Sequence, residues 1–137
     1  MNNGRFAISV HILTLLADAP DGEPISSEYM AGSMNINAVL VRKELANLRS
    51  YGLVDSKEGK GGGSFLAKPA SSIRMSDIYE AVKPGSLLGK NKNEPNPACP
   101  VGRQINEQLD QLYADAEASL LKSLGKKTLA EFLRQFH

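Results

Sequence analysis

Apolar residues at Phe6, Ile8, Val10, Ile12, Leu13, Leu15 and Leu16 predict a mostly buried first helix from Arg5 to Asp18, ended by APDGEP. Ser26 stands as the N-cap of a short helix to about Ser33, with Met30 and Ala31 turned inward. A tight break, MNIN, comes next. Asn37 then caps a third helix whose Val41, Leu45 and Leu48 recur at helical spacing up to Tyr51 and Gly52. LVDS and SFLA read as two short strands on either side of a glycine knot at Gly59, Gly61, Gly62 and Gly63. MSDIYEAVK, from Met75 to Lys83, predicts another short helix with Ser76 as its cap. Pro84 to Ala98 is rich in Pro, Gly and Asn and reads as a loop. Pro100 opens a long helix to about Leu124, with a narrow apolar stripe at Val101, Ile105, Leu109, Leu112, Ala116, Leu120 and Leu124. A stripe of this kind on a small protein is a seam for another helix. TLAEFLRQF closes the chain as a last helix, with Thr128 and Glu131 in capping-box spacing.

Helix, helix, turn, helix and hairpin, in that order, make a winged helix-turn-helix. The expected fold is therefore mainly α with a small β-hairpin, extended by the long C-terminal helix. In this arrangement the third helix enters the major groove and the hairpin tip, the wing, lies beside it. A wing tip must reverse tightly and bring its backbone close to phosphates or a minor groove, and glycines allow both. Lys57 and Lys60 add positive charge there. A nucleotide loop does not explain the knot. The pattern G-x-x-x-x-G-K-[ST] fails because Gly61 follows Lys60 and Val54 stands five residues before Gly59. The pattern G-x-G-x-x-G would need glycine at Ser64 or Leu66. The segment after the knot is short and extended, where both motifs need a helix.

Composition narrows the class further. A chain of 137 residues with 42% apolar content can bury a core as one domain, or as a small domain with an appendage. No 18-residue apolar run is present, so no membrane span is expected. MNNGRFAISVHILTLL has only Arg5 ahead of its apolar run and continues into helical periodicity, so it reads as a helix and not a signal peptide. The single cysteine, Cys99, excludes an internal disulfide framework and fits a reducing cytoplasm. The net charge is only +1. Its distribution is uneven: Arg42, Lys43, Arg49, Lys57, Lys60 and Lys68 outnumber Glu44, Asp55 and Glu58, whereas Arg103 stands against Glu107, Asp110, Asp115 and Glu117. Charge alone favours ordinary solvated faces. No carboxylate pair, metal cluster or nucleophile–base arrangement appears, and Cys99 could meet His137 only through folding, so an enzyme is not expected.

GRFA, the helix-turn-helix, LRSYGLVDSKEGKGGGSFLAKP, IRMSDIYEAV and a cysteine-bearing loop before a long helix fall in one order. This sequence resembles the Rrf-two family of bacterial winged-helix transcription regulators over nearly its whole length. That family includes the iron–sulfur cluster regulator, the nitric-oxide-sensitive repressor and the cysteine-metabolism repressor. The glycine-rich wing after L-R-x-x-G-L-V carries the most specificity. The resemblance implies a cytoplasmic homodimer, held by the long helix through Val101, Ile105, Leu109, Leu112, Ala116 and Leu120, on a pseudo-palindromic operator in double-stranded DNA. It also implies DNA contacts from Asn37, Ala38, Val39, Arg42 and Lys43 on the third helix. Lys57, Lys60, Gly61, Gly62, Gly63 and Ser64 would join them from the wing, and Asn3 and Arg5 from the start of the first helix. Residues 1–83 then form the DNA-binding unit, 84–99 the loop with the lone cysteine, and 100–137 the dimerisation and C-terminal helices. Several relatives hold a [2Fe–2S] cluster with three cysteines in that loop. This chain departs there, because one thiolate cannot hold a cluster and neither His11 nor His137 is near in sequence. No cofactor is expected.

Thiol chemistry, a small ligand or a partner protein remain as means of control. Cys99 sits in NPACPVG, and with Pro100 as the first helical residue it becomes the N-cap. A helix N-terminus favours an anion, and thiolate is the reactive form of cysteine. Oxidation would give a sulfenic acid, a mixed disulfide with a small thiol, or a disulfide to the partner subunit. A small apolar residue that happens to be cysteine is the competing reading. His11 reads as a core or interface residue, and Tyr29, Tyr51, Tyr79 and Tyr113 as packing residues with a polar tip. Leu87 and Leu88 stand as exposed candidates to cover the dimer or an effector pocket. The expected function is a sequence-specific repressor switched by oxidation at Cys99. The alternatives are control by a ligand or partner, and a winged helix that binds protein instead of DNA.

Overall fold

A computed structural model describes residues 4–83, 88–89 and 93–137. Helices α1 (Arg5–Asp18), α2 (Ser27–Met34) and α3 (Ala38–Ser50) precede an antiparallel hairpin of β1 (Val54–Lys57) and β2 (Gly63–Leu66). Helices α4 (Met75–Val82), α5 (Pro100–Leu124) and α6 (Leu129–Leu133) complete the chain, with 3-10 turns at Pro20–Gly22, Ala70–Ser72 and Arg134–Phe136. Mainly α with one small hairpin is thus the observed fold class. Asn3 and Leu87 lie outside the described residues.

Local chemistry accounts for most boundaries. The Ser26 hydroxyl accepts the Tyr29 amide at 3.1 Å, and the Asn37 side-chain Oδ1 accepts the Val39 amide at 2.7 Å, which satisfies free donors at two helix starts. Asn35 ends α2 in the left-handed region (φ 55°), which short polar side chains tolerate. Two expectations shift by a residue. Helix α4 starts at Met75 with Arg74 as its N-cap, so Ser76 lies inside the first turn. The Asp77 carboxylate takes the Arg74 amide at 2.9 Å, and the Met75 amide is already given to the Lys127 carbonyl. The strands are 54–57 and 63–66, and β1 begins only at Val54 because the Leu53 amide still bonds back to the Leu48 carbonyl at the end of α3.

Ile12, Leu13, Met30, Leu48, Ile73, Ile78 and Leu129 are fully buried and form one core across α1, α2, α3, α4 and α6. Each such side chain contributes about 1.5–3 kcal/mol by leaving water. Leu129 therefore anchors α6, a five-residue helix too short to be stable alone. The last helix thus returns to the body of the winged helix and packs on α1. Helix α5 differs: none of its 25 residues is buried. Its ties to the body include Glu117, which accepts from the Tyr79 hydroxyl at 3.4 Å and pairs with Lys83 at 3.4 Å, and Leu124, which packs against the core. Burial, and next the Glu117 charge, raise the proton affinity of the Tyr79 phenol. Tyr79 is buried as expected of a packing residue, but Tyr29 (58% exposed) and Tyr51 (55%) stand on the surface. They lie in the first turn of α2 and just past the last turn of α3, beyond the reach of the core.

Candidate nucleic-acid interface

Helix α3 is amphipathic. Val41, Glu44, Leu45 and Leu48 point inward, which leaves Val39, Leu40, Arg42 and Lys43 on the outer face. Val39 and Leu40 are 59% and 48% exposed, so the first turn of α3 offers apolar surface to solvent beside the two cations. Arg42 reaches Ser27 at 3.3 Å and Glu28 at 3.0 Å across the helix-turn-helix. Both charged groups of the Arg42–Glu28 pair are largely exposed, so the pair adds little stability and yields readily to a phosphate or a base. Asn37 caps α3 through its side chain, and Ala38 is half-buried against the core.

The hairpin lies against the other end of α3. Arg49 Nη1 donates to Ser56 at 3.1 Å, and Arg49 Nη2 pairs with Asp55 at 3.4 Å. Between α3 and the hairpin runs an open groove of about 440 Å³, whose charged lining is Arg42, Arg49 and Lys57 with one carboxylate, Asp55. Arg49 was not among the residues that sequence reasoning assigned to the interface. The available signal was a basic residue in the last helical turn just before the first strand.

Lys57 pairs with Gly63 in the strand register, so residues 58–62 form the wing tip. Lys57, Lys60 and Gly61 are exposed there, and Lys43, Lys57 and Lys60 make no ion pair among the described residues. A side chain on Gly62 would meet the Lys57 carbonyl, and one on Gly63 would lie 2.6 Å from the Ile25 backbone. The glycines therefore allow a close fold of the tip onto itself and onto the segment before α2. The neighbouring residue completes that contact. Ser64 and Ile25 exchange two backbone hydrogen bonds of 2.9 Å, and Ser64 itself is buried. Of the residues expected on the wing, Ser64 is the one turned inward.

Arg5 is also engaged within the chain. Its Nε and Nη2 donate to the two carboxylate oxygens of Glu44 at 2.8 and 3.1 Å. That hydrogen bonding raises the guanidinium's hold on its proton.

Cys99 is exposed at the N-cap of α5, with Pro100 as the first helical residue, and its sulfur accepts the Gly102 amide at 3.4 Å. The apolar stripe beyond it is only partly covered: Val101 is 68% and Leu112 59% exposed, Ala116 is exposed, and Ile105, Leu109 and Leu120 are half-buried. Leu88 is exposed. His11 is half-buried on α1, where its Nε2 lies 3.0 Å from the Ser33 hydroxyl. Among the described residues, no three His, Cys, Asp or Glu side chains gather into a metal-sized group, and no helix is long and apolar enough to cross a membrane.

A helix-turn-helix followed by a glycine-tipped wing that bears Lys57 and Lys60 defines the class: a winged helix-turn-helix transcription regulator with a DNA-binding architecture. The Rrf2 family of iron-dependent transcriptional regulators matches residues 2–135, and the chain belongs to that family. YwnA, an HTH-type transcriptional regulator of Bacillus subtilis (strain 168), is 33% identical over 133 residues, covering 97% of each chain. The fold recurs in the structure of CymR, the global cysteine regulator of B. subtilis, with a TM-score of 0.72, 21% identity and coverage of 98% of this chain and 97% of that one. It recurs again in the oxidised form of Staphylococcus aureus CymR, with a TM-score of 0.70, 20% identity and coverage of 97% and 96%.

Proposed function

We propose that the protein is a homodimeric repressor that reads a pseudo-palindromic operator with α3 and the wing, and that oxidation at Cys99 switches it. The observation that carries the DNA reading is the exposed face itself. Val39, Arg42 and Lys43 share the outer side of α3, and Lys57 and Lys60 stand on the wing beside it. Arginine and lysine meet guanine edges or phosphates, and an apolar side chain meets the thymine methyl group. The dimer reading is supported by α5, whose stripe of Val101, Ile105, Leu109, Leu112, Ala116 and Leu120 contains no fully buried residue among the described residues. Two-fold symmetry then sets the half-sites about 10 base pairs apart.

The donor set does not suit a [2Fe–2S] cluster, because the chain offers one thiol where such clusters use several cysteines. Control without a cluster is therefore part of this reading. Cys99 is exposed at the start of the uncovered helix, where an oxidised thiol or a small-thiol adduct alters charge and bulk next to the seam. A second reading, control by a small ligand, is favoured by an apolar groove of about 540 Å³ between α1 and α6, with His11, Asp18 and His137 among its polar groups. A mobility shift on the promoter upstream of the protein's own gene tests these readings, run reduced and oxidised with wild type and Cys99→Ser. A complex lost on oxidation in the wild type and kept in the variant supports the thiol switch. A complex indifferent to oxidant refutes that switch and directs attention to the groove. Absence of any salt-sensitive complex argues instead for a protein-binding module.

A further inference from the structure

Glu44 is the buried charge on the helix proposed to read DNA. Its side chain is 6% exposed, while the side chains of the Arg42–Glu28 and Arg49–Asp55 pairs are 52–72% exposed. Arg5 meets it from the first turn of α1, 39 residues away, with two nitrogens on two oxygens. The rest of the inner face of α3 is apolar, apart from Asn47, whose amide donates to the Ala81 carbonyl of α4 at 2.9 Å. Apolar packing is non-directional and permits a helix to roll. A fork on a carboxylate fixes both angle and rotation. Glu44 and Asn47 are three residues apart, so both fixings act on one side of α3.

Rolling matters for the outer face. At a helix radius of about 5–6 Å, a roll of about 20° moves a side-chain tip by about 2 Å. Hydrogen bonds to base edges tolerate only a few tenths of an ångström. We infer that Arg5 and Glu44 form a strut that sets the rotation of α3 for base reading, so that both act on DNA binding as positioning residues. The inference rests on the DNA reading above. It assigns Arg5 a role different from a phosphate contact, and it gives a function to a carboxylate that never meets DNA.

The sign of one substitution separates the two roles. Removing a negative charge from a helix that meets DNA tightens binding if electrostatics alone acts. Removing Glu44 loosens specific binding if it holds α3. The experiment compares wild type, Glu44→Gln, Arg5→Gln and the double variant. The DNA is a duplex enriched from a random pool by the wild-type protein, set beside an unrelated duplex, and affinities are measured over a range of salt. We expect Glu44→Gln to weaken binding to the enriched duplex by about tenfold, within the range for coupled neighbours. Binding to the unrelated duplex should change by less than about twofold, since no phosphate contact is lost. Arg5→Gln should behave likewise with an unchanged salt slope, and the double variant should be no worse than the weaker single one. Glu44→Gln binding as tightly as wild type, or more tightly, overturns the strut. So does a fall of about 0.9 in the salt slope for Arg5→Gln, the mark of a lost phosphate contact. If Arg5→Gln does not fold by circular dichroism, Glu44→Gln and the double variant decide, because neither leaves a buried carboxylate unpaired. Failure of the wild type to enrich any duplex sinks the DNA reading itself, and the strut with it.

Discussion

Gly63→Ala tests whether the wing is fixed to the body by its contact with Ile25. Gly63 has φ 152°, and an added Cβ would lie 2.6 Å from the carbonyl carbon and oxygen of Ile25 and 2.9 Å from its nitrogen. These are backbone atoms and cannot swing aside. Relief requires the wing to lift, which breaks the two hydrogen bonds between Ser64 and Ile25. The backbone strain costs about 1–2 kcal/mol, and the two lost bonds about 1 kcal/mol each. The total is about 3–4 kcal/mol.

Gly61→Ala is the control. Gly61 also has a positive φ, 77°, but a Cβ there meets nothing within 4 Å. It should cost about 1–2 kcal/mol from strain alone. The assay is urea unfolding followed by circular dichroism, at one fixed protein concentration so that association does not enter the comparison. Gly63→Ala should be the less stable of the two by about 2 kcal/mol. A difference below about 0.5 kcal/mol, the ordinary spread of a surface substitution, would refute the claim that the Ile25 contact holds the wing.

Ser9 is fully buried in α1, and its hydroxyl has no hydrogen-bond partner among the described residues; Ser9→Ala should therefore stabilise the protein by about 1 kcal/mol, and a lower melting temperature in calorimetry would contradict this. Glu131 is held below the usual carboxylate range by the Thr128 amide and then the Thr128 hydroxyl, at 3.0 and 3.1 Å. Its folded value lies below its unfolded one, so its contribution is complete above the usual carboxylate range and is lost as pH falls through the folded value. The melting-temperature gap between wild type and Glu131→Gln should thus close on acidification, and a gap constant with pH would count against the capping role. Leu112→Glu places a charge on the proposed seam and should shift sedimentation to the monomer at equal concentration; an unshifted dimer would move the seam elsewhere.

Short-range chemistry was legible in the sequence. The caps at Ser26, Asn37 and Thr128, and Cys99 followed by Pro100, all act within three or four residues, so spacing alone locates them. The inward residues Val41, Leu45 and Leu48 are located by helical period in the same way. Long-range pairing was not legible. Arg5 meets Glu44 across 39 residues, and no local pattern distinguishes that arginine from one free to meet a phosphate. Arg49 and Ser64 make the same point from opposite sides. Packing of the hairpin on α3 brings Arg49 to the groove, while the bridge to Ile25 turns Ser64 away from solvent. Where the sequence shows a set of cations, the tertiary structure sorts them: Arg5 holds a buried carboxylate, Arg42 and Arg49 meet exposed ones, and Lys43, Lys57 and Lys60 stand without an ion-pair partner among the described residues.

Helix α5 is legible only as half of something. Its stripe was evident from the sequence, yet among the described residues none of it is fully buried. An amphipathic helix of 25 residues in a protein gains less from propensity than from a packed face, which supplies most of its stability. If that face is a second copy of the chain, the order of α5 depends on protein concentration, as for any association that favours the folded form. The geometry then has a consequence for control. Cys99 lies at one end of α5 and the Glu117 tie to α4 lies 18 residues on, about 27 Å along the axis. A thiol event that only frayed the first turn would stop far short of Glu117. To reach the winged helices it must shift α5 as a rigid body against its partner. On the proposed switch, then, oxidation acts through the seam before it acts on α4, and the dimer is the element that must have two arrangements.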